Sequence, residues 1–536
     1  MRHLAVLLAS LGLLVAGVGA VGAAEQPEGA PVNVRVDAGA GRRPISPYIY
    51  GKNLFRFGGL DEFTPESLAL VKEAGVRMLR ISEGNNGTKY NWRNDLSSNP
   101  DWYNNVYPMH LHEGAKMLAD QTRDLQVLAS FQVLGWVAKT DQYNFNEAQA
   151  NPRPDPRQNL CGGGKPELYL QPWTAKDTVD ILDHWFGAGG LGLDPARFHY
   201  WHMDNEPECW PSTHDDVCPK DLTAEQCVQK YVAVAREVRS RYPGIRLMAP
   251  GFTSEWQWWN WADNKAVDGM PWMQYFVKRM AEESRAAGKP LIDVVDFHTY
   301  VSGNATDEDL LQEHRIFYDA KYEFPRANGC KVFPDGGWHE DQKVELVFGR
   351  MEGWLDQYFG AGHSIGIGIT EGGLAGRAPM VNALWYASML GTYADHGVEI
   401  FTPWAWADQD WEVLHLFSRY AGDTRVEAVS SDEKMVSAYA SVGKAGGRMT
   451  VILVNREKSA ARPVRIAVTG ISPREGEQAT LTLSELAKDV RTFQTHEKNA
   501  LRKGSTHIEN GAFSVLMPPY SITAVLIEPA GRASSS

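Results

Sequence analysis

A chain of 536 residues has room for two to four domains at roughly 100–200 residues each. At 43% hydrophobic and 22% charged residues it has ordinary globular usage, which excludes wholesale disorder. Its 53 basic and 66 acidic side chains give a formal charge of −13, which argues against a nucleic-acid or anionic-membrane partner. Tryptophan, with 18 residues, nearly equals Phe at 19 and Tyr at 20. Flat stacking surfaces for a neutral partner are one reading of that excess, and core packing is the other.

The chain opens as a secretory signal: Arg2, an apolar stretch over 4–18, then small residues through 19–24. Cleavage is expected near Ala23, so 1–23 is read as the signal peptide of a secreted or periplasmic protein. No later segment offers 18 uninterrupted apolar residues, so no membrane span is expected. Residues 24–44 hold a linker and the alternating strand VNVRVD at 32–37, expected to join a sheet domain at the far end of the chain. Over 45–409, eight short apolar runs recur: 49–53, 76–82, 127–133, 198–205, 246–250, 294–300, 365–371 and 400–406. Amphipathic helical segments lie between them, among them 65–74, 224–241, 272–287 and 381–396. Eight strand–helix units in alternation predict a closed parallel barrel, whose strand C-termini gather on one face where sites are built. The Pro-, Asn- and Gly-rich stretch 138–173 reads as a long loop able to wall a cleft. Beyond 410 the period changes to two, with strands at 435–442, 449–454, 463–468, 479–483 and 513–527. The fold class is therefore α/β: a (β/α)8 TIM barrel with a smaller C-terminal β-sandwich over 410–529 and a disordered tail at 530–536.

The five cysteines are Cys161, Cys209, Cys218, Cys227 and Cys330. Three sit nine apart in a polar stretch and none forms a C-x-x-C pair, so a loop-stapling disulfide is expected over zinc. The odd count leaves one thiol unpaired or paired between chains, and spacing does not fix the partners.

Two strand ends carry candidate chemistry. In Asp204-Asn205-Glu206-Pro207, the proline stops the fourth strand and is expected to hold Glu206 extended at the barrel mouth. Trp201 and Trp210 are expected to desolvate it and raise its pKa, as a general acid needs. In Ile369-Thr370-Glu371-Gly372-Gly373, the glycines leave Glu371 unshielded at the end of the seventh strand. Each glutamate alone could be a turn acid. Together, on one rim, they are the acid/base and nucleophile that glycosidic hydrolysis requires. H-E-x-x-H or comparable metal spacing is lacking.

These stretches resemble glycoside hydrolase family 44, retaining endo-β-glucanases of clan A, across most of the mature length. The matching segments are ISPYIYGKN, RISEGNNGTKYNW (80–92), VLGWVAK (133–139), HMDNEPECW (202–210), DVVDFHTY (293–300), GITEGG (368–373) and PPYSITAVLI (518–527). The resemblance implies a barrel plus sandwich, with Glu206 as acid/base and Glu371 as nucleophile. It departs from the family at Ile81-Ser82-Glu83-Gly84-Asn85-Asn86, where Trp-Gly-Gly-Asn is expected, and in the cysteine-bearing loop after Pro207. Both departures bear on substrate preference.

Among supporting residues, Arg80 is placed to hold Glu371 ionised and Asn205 to bind the sugar 2-hydroxyl. Tyr300 is the candidate for orienting the nucleophile. At least one of Tyr300 and His298 is expected to face away from the other, and His298 reads equally as a satisfied core histidine. Trp136 and Trp404 are candidate sugar platforms. About half of Trp256, Trp258, Trp259 and Trp261 is expected in the core, and the tryptophan excess as a whole is expected to line the cleft with a minority buried. The expected activity is retaining endo-hydrolysis of a β-1,4-glucan, soluble or amorphous, since no separate cellulose-binding module is evident. Xyloglucan, mannan or xylan hydrolysis, or an inactive polysaccharide-binding protein, are the alternatives. No cofactor is required, although the resemblance makes a structural calcium ion plausible. A polysaccharide is the expected partner and a monomer the expected state.

Overall fold

The computed structural model describes residues 31–55, 64–81, 84–99, 106–122, 124–141, 166–262, 266–300, 304–333, 335–374, 376–444 and 447–531. The signal segment, residues 142–165 of the long loop and the tail from 532 onward lie outside the described residues. No helix among the described residues is long and apolar enough to cross a membrane.

Eight parallel strands form one sheet in chain order: Gly51–Asn53, Met78–Arg80, Gln126–Phe131, Tyr200–Met203, Arg246–Phe252, Val294–Thr299, Gly366–Gly372 and Ile400–Phe401. The ends of the sheet meet. The Asn53 backbone N–H donates to the Pro403 carbonyl at 3.3 Å, and its side-chain amide donates to the Thr402 carbonyl at 2.7 Å. The result is a nearly closed (β/α)8 barrel whose strands fall within the eight apolar runs or within a residue or two of them. Strands covered on both faces read as continuous apolar runs, which is why they were visible.

Alternation along the strands layers the barrel interior. Met78, Leu128, Tyr200, Met248, Val294 and Ile400 pack as an apolar floor. Two positions further along, the inward side chains turn polar: Arg80, His202, Asp296 and Thr402, all fully buried. Outward residues such as Leu79, Val127, Trp201, Leu247 and Ile369 pack in the main core beneath the helices.

The helix Pro65–Ala74 starts under a Thr64 cap with Pro65 in its first turn and stops at Gly75, φ 81°. Ala224–Arg241 starts with a Thr223/Gln226 capping box. Pro379–His396 differs from the amphipathic reading: every residue from Met380 to Ala394 is buried. A helix apolar all round must be covered all round. This one packs on the neighbouring helix Asp410–Tyr420 and on four sandwich strands, and Tyr439 Oη lies 3.2 Å from the Ser388 carbonyl.

The sandwich strands are Thr424–Ser430, Val436–Val442, Met449–Asn455, Arg462–Thr469, Gly476–Leu483, Arg502–Ile508, Ala512–Met517 and Ser521–Ile527. Val32–Asp37 runs antiparallel to Thr424–Ser430 and parallel to Arg462–Thr469, and its Val32, Val34 and Val36 enter the sandwich core. Arg502–Ile508 escaped the sequence reading because its first four residues are exposed and polar or Gly.

The expected loop-stapling disulfide does not form among the described cysteines. Cys209, Cys218, Cys227 and Cys330 are free, and Cys161 lies outside the described residues. Cys227 sits in the buried face of Ala224–Arg241, Cys330 Sγ lies 2.6 Å from the Gln342 carbonyl, and Cys209 Sγ lies 3.4 Å from Thr253 Oγ1. Cys218, Cys227 and Cys330 behave as small buried groups in their own packing environments, and Cys209 is partly exposed.

Candidate active site

After Met203 the chain turns sharply. Asp204 has φ 63° and Glu206 has φ 44°, ψ 61°, so Glu206 is left-handed rather than extended. The preference that Pro207 imposes on its predecessor is overridden by hydrogen bonds that over-determine the turn. The buried Asp204 carboxyl accepts from Thr88 Oγ1 at 2.7 Å, Val133 N–H at 2.6 Å, Leu134 N–H at 3.2 Å and its neighbour Asn205 N–H at 2.9 Å. Burial pushes Asp204 up to about 7 against the pull of these donors. Glu206 N–H donates to the Gly251 carbonyl at 3.2 Å.

A second irregularity places Glu371. Strict alternation after the outward Ile369 would turn Thr370 inward and Glu371 out. The register against the sixth strand shifts there: Phe297 pairs with Ile369 but His298 with Glu371. Thr370 is the extra residue of a β-bulge, so both it and Glu371 point into the barrel, the re-aiming that bulges perform beside sites.

One oxygen of Glu206, one of Glu371 and a His298 ring nitrogen all lie within 4.8 Å of one another. His298 Nδ1 is 2.9 Å from Glu206 Oε1 and 3.5 Å from Glu371 Oε2. Arg80 donates to Glu371 Oε1 at 2.6 Å, to Asn205 Oδ1 at 2.6 Å and to Asn53 Oδ1 at 3.2 Å. Tyr300 Oη donates to Glu371 Oε2 at 2.8 Å. Asn85 donates to Glu206 Oε2 at 3.1 Å and accepts from Asn205 Nδ2 at 3.1 Å.

The two carboxyls are driven apart. Burial raises Glu206 above its ordinary range, and the negative charge of Glu371 adds to this, while the His298 and Asn85 hydrogen bonds offset only part of it. Burial also pushes Glu371 up. There the facing charges of His298 and Arg80, with hydrogen bonds from Arg80 and Tyr300, outweigh it and hold the carboxyl below its ordinary range. Two neighbouring carboxyls with opposed protonation preferences can serve as an acid and a nucleophile in one site.

Arg80, Asn205, Tyr300, Glu206 and Glu371 thus come together in one hydrogen-bonded cluster. Trp404 joins it, with the Arg80 guanidinium carbon 5.9 Å from its ring centroid and Phe55 edge-on at 4.4 Å. Trp136 lies apart, in a two-stranded ribbon formed by Trp136–Ala138 and Leu170–Pro172, half-buried against a small cluster that includes Leu170 and Tyr169.

Several expectations change. His298 does not face away: residues two apart on a strand share a face, so it stands beside Tyr300 and touches both glutamates. Its spacing from Tyr300 was the signal for this. Asn53 carried the general signal of a polar strand end on the site face, whereas Asn85, in the departing loop, carried none. Trp201 and Trp210 do not shield Glu206 with their rings. Trp201 faces outward, stacked on Phe131 at 4.5 Å, and Trp210 is stacked on Tyr231 with its indole N–H on the Asn205 carbonyl at 2.8 Å. Of the post-strand-five burst, Trp258, Trp259 and Trp261 are buried, leaving Trp256 partly exposed. Ten of the 17 tryptophans among the described residues are buried, so the excess serves packing more than stacking platforms.

Glu206, His298 and Glu371 form the one group of three carboxylate or imidazole ligands that converges in this way among the described residues. It does not suit a structural calcium ion, which takes six to eight oxygens. One position offers nitrogen, and the Arg80 guanidinium already occupies the space beside Glu371.

The sequence profile of glycoside hydrolase family 44 matches residues 96–303, a span that includes Glu206 and Tyr300. The chain is 22% identical over 539 residues to a β-mannanase/endoglucanase A of Caldicellulosiruptor saccharolyticus, covering 91% of this chain and 38% of that protein. The chain therefore spans well under half of that relative. Among solved structures, it is similar to CelM2, described as a bifunctional glucanase-xylanase from a metagenome library, with TM-score 0.75, 19% identity and coverage of 93% and 99%. It is also similar to a family 44 xyloglucanase of Paenibacillus polymyxa, with TM-score 0.72, 18% identity and coverage of 93% and 100%. The resemblance read from the motifs holds.

Proposed function

Taking the chain as a glycoside hydrolase of the family 44 type, we propose that it is a secreted retaining endo-glycosidase acting on β-1,4-glucan of soluble or amorphous cellulose type. The observation that carries this reading is the pair of glutamates, Glu371 buried and Glu206 partly exposed, with opposed pKa directions and oxygens within 4.8 Å. Oxygens this close are compatible with retention, where carboxyl groups stand about 5–5.5 Å apart, whereas inversion needs about 6.5–9.5 Å to admit water.

In the proposed sequence, protonated Glu206 gives its proton to the glycosidic oxygen while ionised Glu371 attacks the anomeric carbon. Glu206, now a carboxylate, takes a proton from the water that cleaves the glycosyl-enzyme. Arg80 and Tyr300 keep Glu371 charged and fixed. Asn205, held by Arg80 and Asn85, is placed to meet the sugar 2-hydroxyl. Carboxyls and water supply every proton and the nucleophile, so the steps call on no metal or redox group. The neutral substrate accords with an acidic chain, and the apolar start at 4–18 with export.

Hydrolysis of carboxymethyl cellulose, lichenan, xyloglucan and mannan by the wild type and Glu371→Ala, with product anomers followed by NMR, tests the proposal. Retained anomeric configuration on a glucan and loss of turnover in Glu371→Ala are expected. Inverted products, or turnover unaffected by Glu371→Ala, refute it. Cleavage confined to mannan or xylan would keep the mechanism and change the substrate.

A further inference from the structure

Beneath the two glutamates lies a second polar layer, wholly excluded from solvent: His202, Asp296, His298 and Thr370. Asp296 and His298 share the inward face of the sixth strand. Thr370, inward at the bulge of the seventh, links them. Its Oγ1 lies 2.6 Å from Asp296 Oδ2 and 3.2 Å from His298 Nε2. His202 Nε2 stands 2.9 Å from the same aspartate oxygen.

A hydroxyl has one hydrogen to give and lone pairs with which to accept. The shorter of the two distances is that of a hydroxyl donating to a carboxylate, about 2.5–2.7 Å. Burial pushes the Asp296 carboxyl up, but the facing imidazoles of His202 and His298 and the Thr370 hydrogen bond outweigh it and hold the group below its ordinary range. Thr370 therefore directs its hydrogen to Asp296 and keeps only a lone pair for the ring, so the hydrogen of the second bond must sit on His298 Nε2. The fifth strand closes the adjoining side without offering a rival partner. It passes as Gly251, φ +73°, where a Cβ would stand 2.8 Å from His202 Cε1 and 3.3 Å from His298 Nε2.

With Nε2 committed, Nδ1 is the nitrogen that gains and loses a proton. It faces the site, 2.9 Å from Glu206 Oε1 and 3.5 Å from Glu371 Oε2. We propose that Asp296 and Thr370 are positioning residues for the acid: by holding hydrogen on His298 Nε2, they require the bond between Nδ1 and Glu206 to contain a proton of its own, the one delivered to the glycosidic oxygen. The inference rests on the reading of Glu206 as the acid. In the opposite form, with hydrogen on Nδ1 and a bare Nε2, the ring would donate to Glu206 as a carboxylate, and the acid would already be discharged. The proton leaves Glu206 for the glycosidic oxygen as the bond to the anomeric carbon breaks, and water restores it in the second step. The hydrogen on Nε2 stays in place throughout. Glu206, Glu371 and Asp296 face the ring, His202 and Tyr300 stand beside it, and Arg80 lies across Glu371. Among the described residues the partner of Nε2 is Thr370.

Nitrogen NMR of isotopically labelled histidine in the full-length wild type, at the pH of maximal activity, reads the ring directly. The His298 signal, identified by its loss in His298→Gln, should show hydrogen bonded to Nε2. Hydrogen on Nδ1 with a bare Nε2 overturns the proposal. The pH profile of kcat/KM reads the consequence. Thr370→Val takes the acceptor from Nε2–H and favours the Nδ1–H form, so the high-pH limb should move downward by roughly one pH unit. Thr370→Ser should restore it. Asp296→Asn, whose amide can turn the Thr370 hydrogen toward the ring, should shift the limb the same way and stands in if Thr370→Val does not fold. A fall in rate with the limb unmoved, or a Thr370→Ser profile no better than that of Thr370→Val, overturns the positioning role. Undiminished turnover in Glu206→Gln would instead overturn the acid reading, with the hydrogen on the ring still decided by NMR.

Discussion

Replacing Asn85 tests how the proposed acid is tuned. Its side-chain amide donates to Glu206 Oε2 at 3.1 Å, a bond that exists at full strength only when Glu206 is ionised, so it favours the carboxylate. Hydrogen bonds to charged groups contribute about 1.5–3 kcal/mol, and the length of this one places it at the lower end. Asn85→Leu removes the donor while keeping the volume. The proton on Glu206 should then be held more tightly, because burial and Glu371 continue to raise its pKa while one opposing interaction has gone. A general acid loses activity as it deprotonates, so the high-pH limb of the kcat/KM profile should move upward by roughly one pH unit, at about 1.4 kcal/mol per unit. Near neutrality the variant should keep a larger fraction of its own maximum than the wild type, even though its maximum falls with the loss of support to Asn205. Initial rates on a soluble glucan across pH 4–9 give the profile. A uniform fall in rate with the limb unmoved would refute the reasoning and leave Asn85 as a substrate or packing residue only.

Tyr300→Phe deletes the donor 2.8 Å from Glu371; the nucleophile should protonate more readily, shifting the low-pH limb upward and lowering kcat/KM roughly tenfold. An unshifted limb would mean that Arg80 and His298 alone set the charge on Glu371. The loop after Glu206 is tied to the loop after strand two by a fully buried ion pair, Lys89 Nζ to Asp216 Oδ1 at 2.5 Å, which also receives Tyr169 Oη at 3.0 Å. Lys89→Met strands the aspartate and should cost about 3–5 kcal/mol in urea unfolding, and Lys89→Met with Asp216→Leu should recover much of that. Additive losses in the double variant would show that the pair is uncoupled. Glu313, pushed up to about 7 by burial, binds its proton more tightly folded than unfolded. The stability it contributes is present in acid and lost as pH rises through 7. Glu313→Gln should therefore flatten the decline in urea midpoint between pH 5 and pH 8, and an unchanged slope would contradict its assignment.

The barrel was readable because its strands are covered on both faces and so announce themselves as apolar runs ending in polar residues. The same ends offered Glu206, Glu371, Arg80, Asn205 and Tyr300, which the structure gathers into one cluster. What escaped depended on single backbone events. Glu371 faces inward only because Thr370 is an extra residue in the ladder, and Glu206 is presented by a left-handed turn that Pro207 alone would not suggest. The surroundings of the tryptophans were equally hidden: Trp201 and Glu206 are five apart, yet the ring points to the helices. Helix Pro379–His396 departs from its periodicity for a different reason. Amphipathicity assumes one solvent face, and this helix is covered by barrel and sandwich alike.

The pairing of Val32–Asp37 has a consequence in time. It is the first described element of the chain, yet its partners begin at Thr424 and Arg462. During synthesis or translocation from the N-terminus, that strand must wait, unpaired, while the whole barrel emerges behind it, and nearly 400 residues separate it from its first neighbour. Non-local closure of this kind is slow and leaves an open strand edge exposed meanwhile. The sandwich works as a clasp fastened last, and a chain truncated before it would keep both an unmatched strand and the bare side of its most apolar helix.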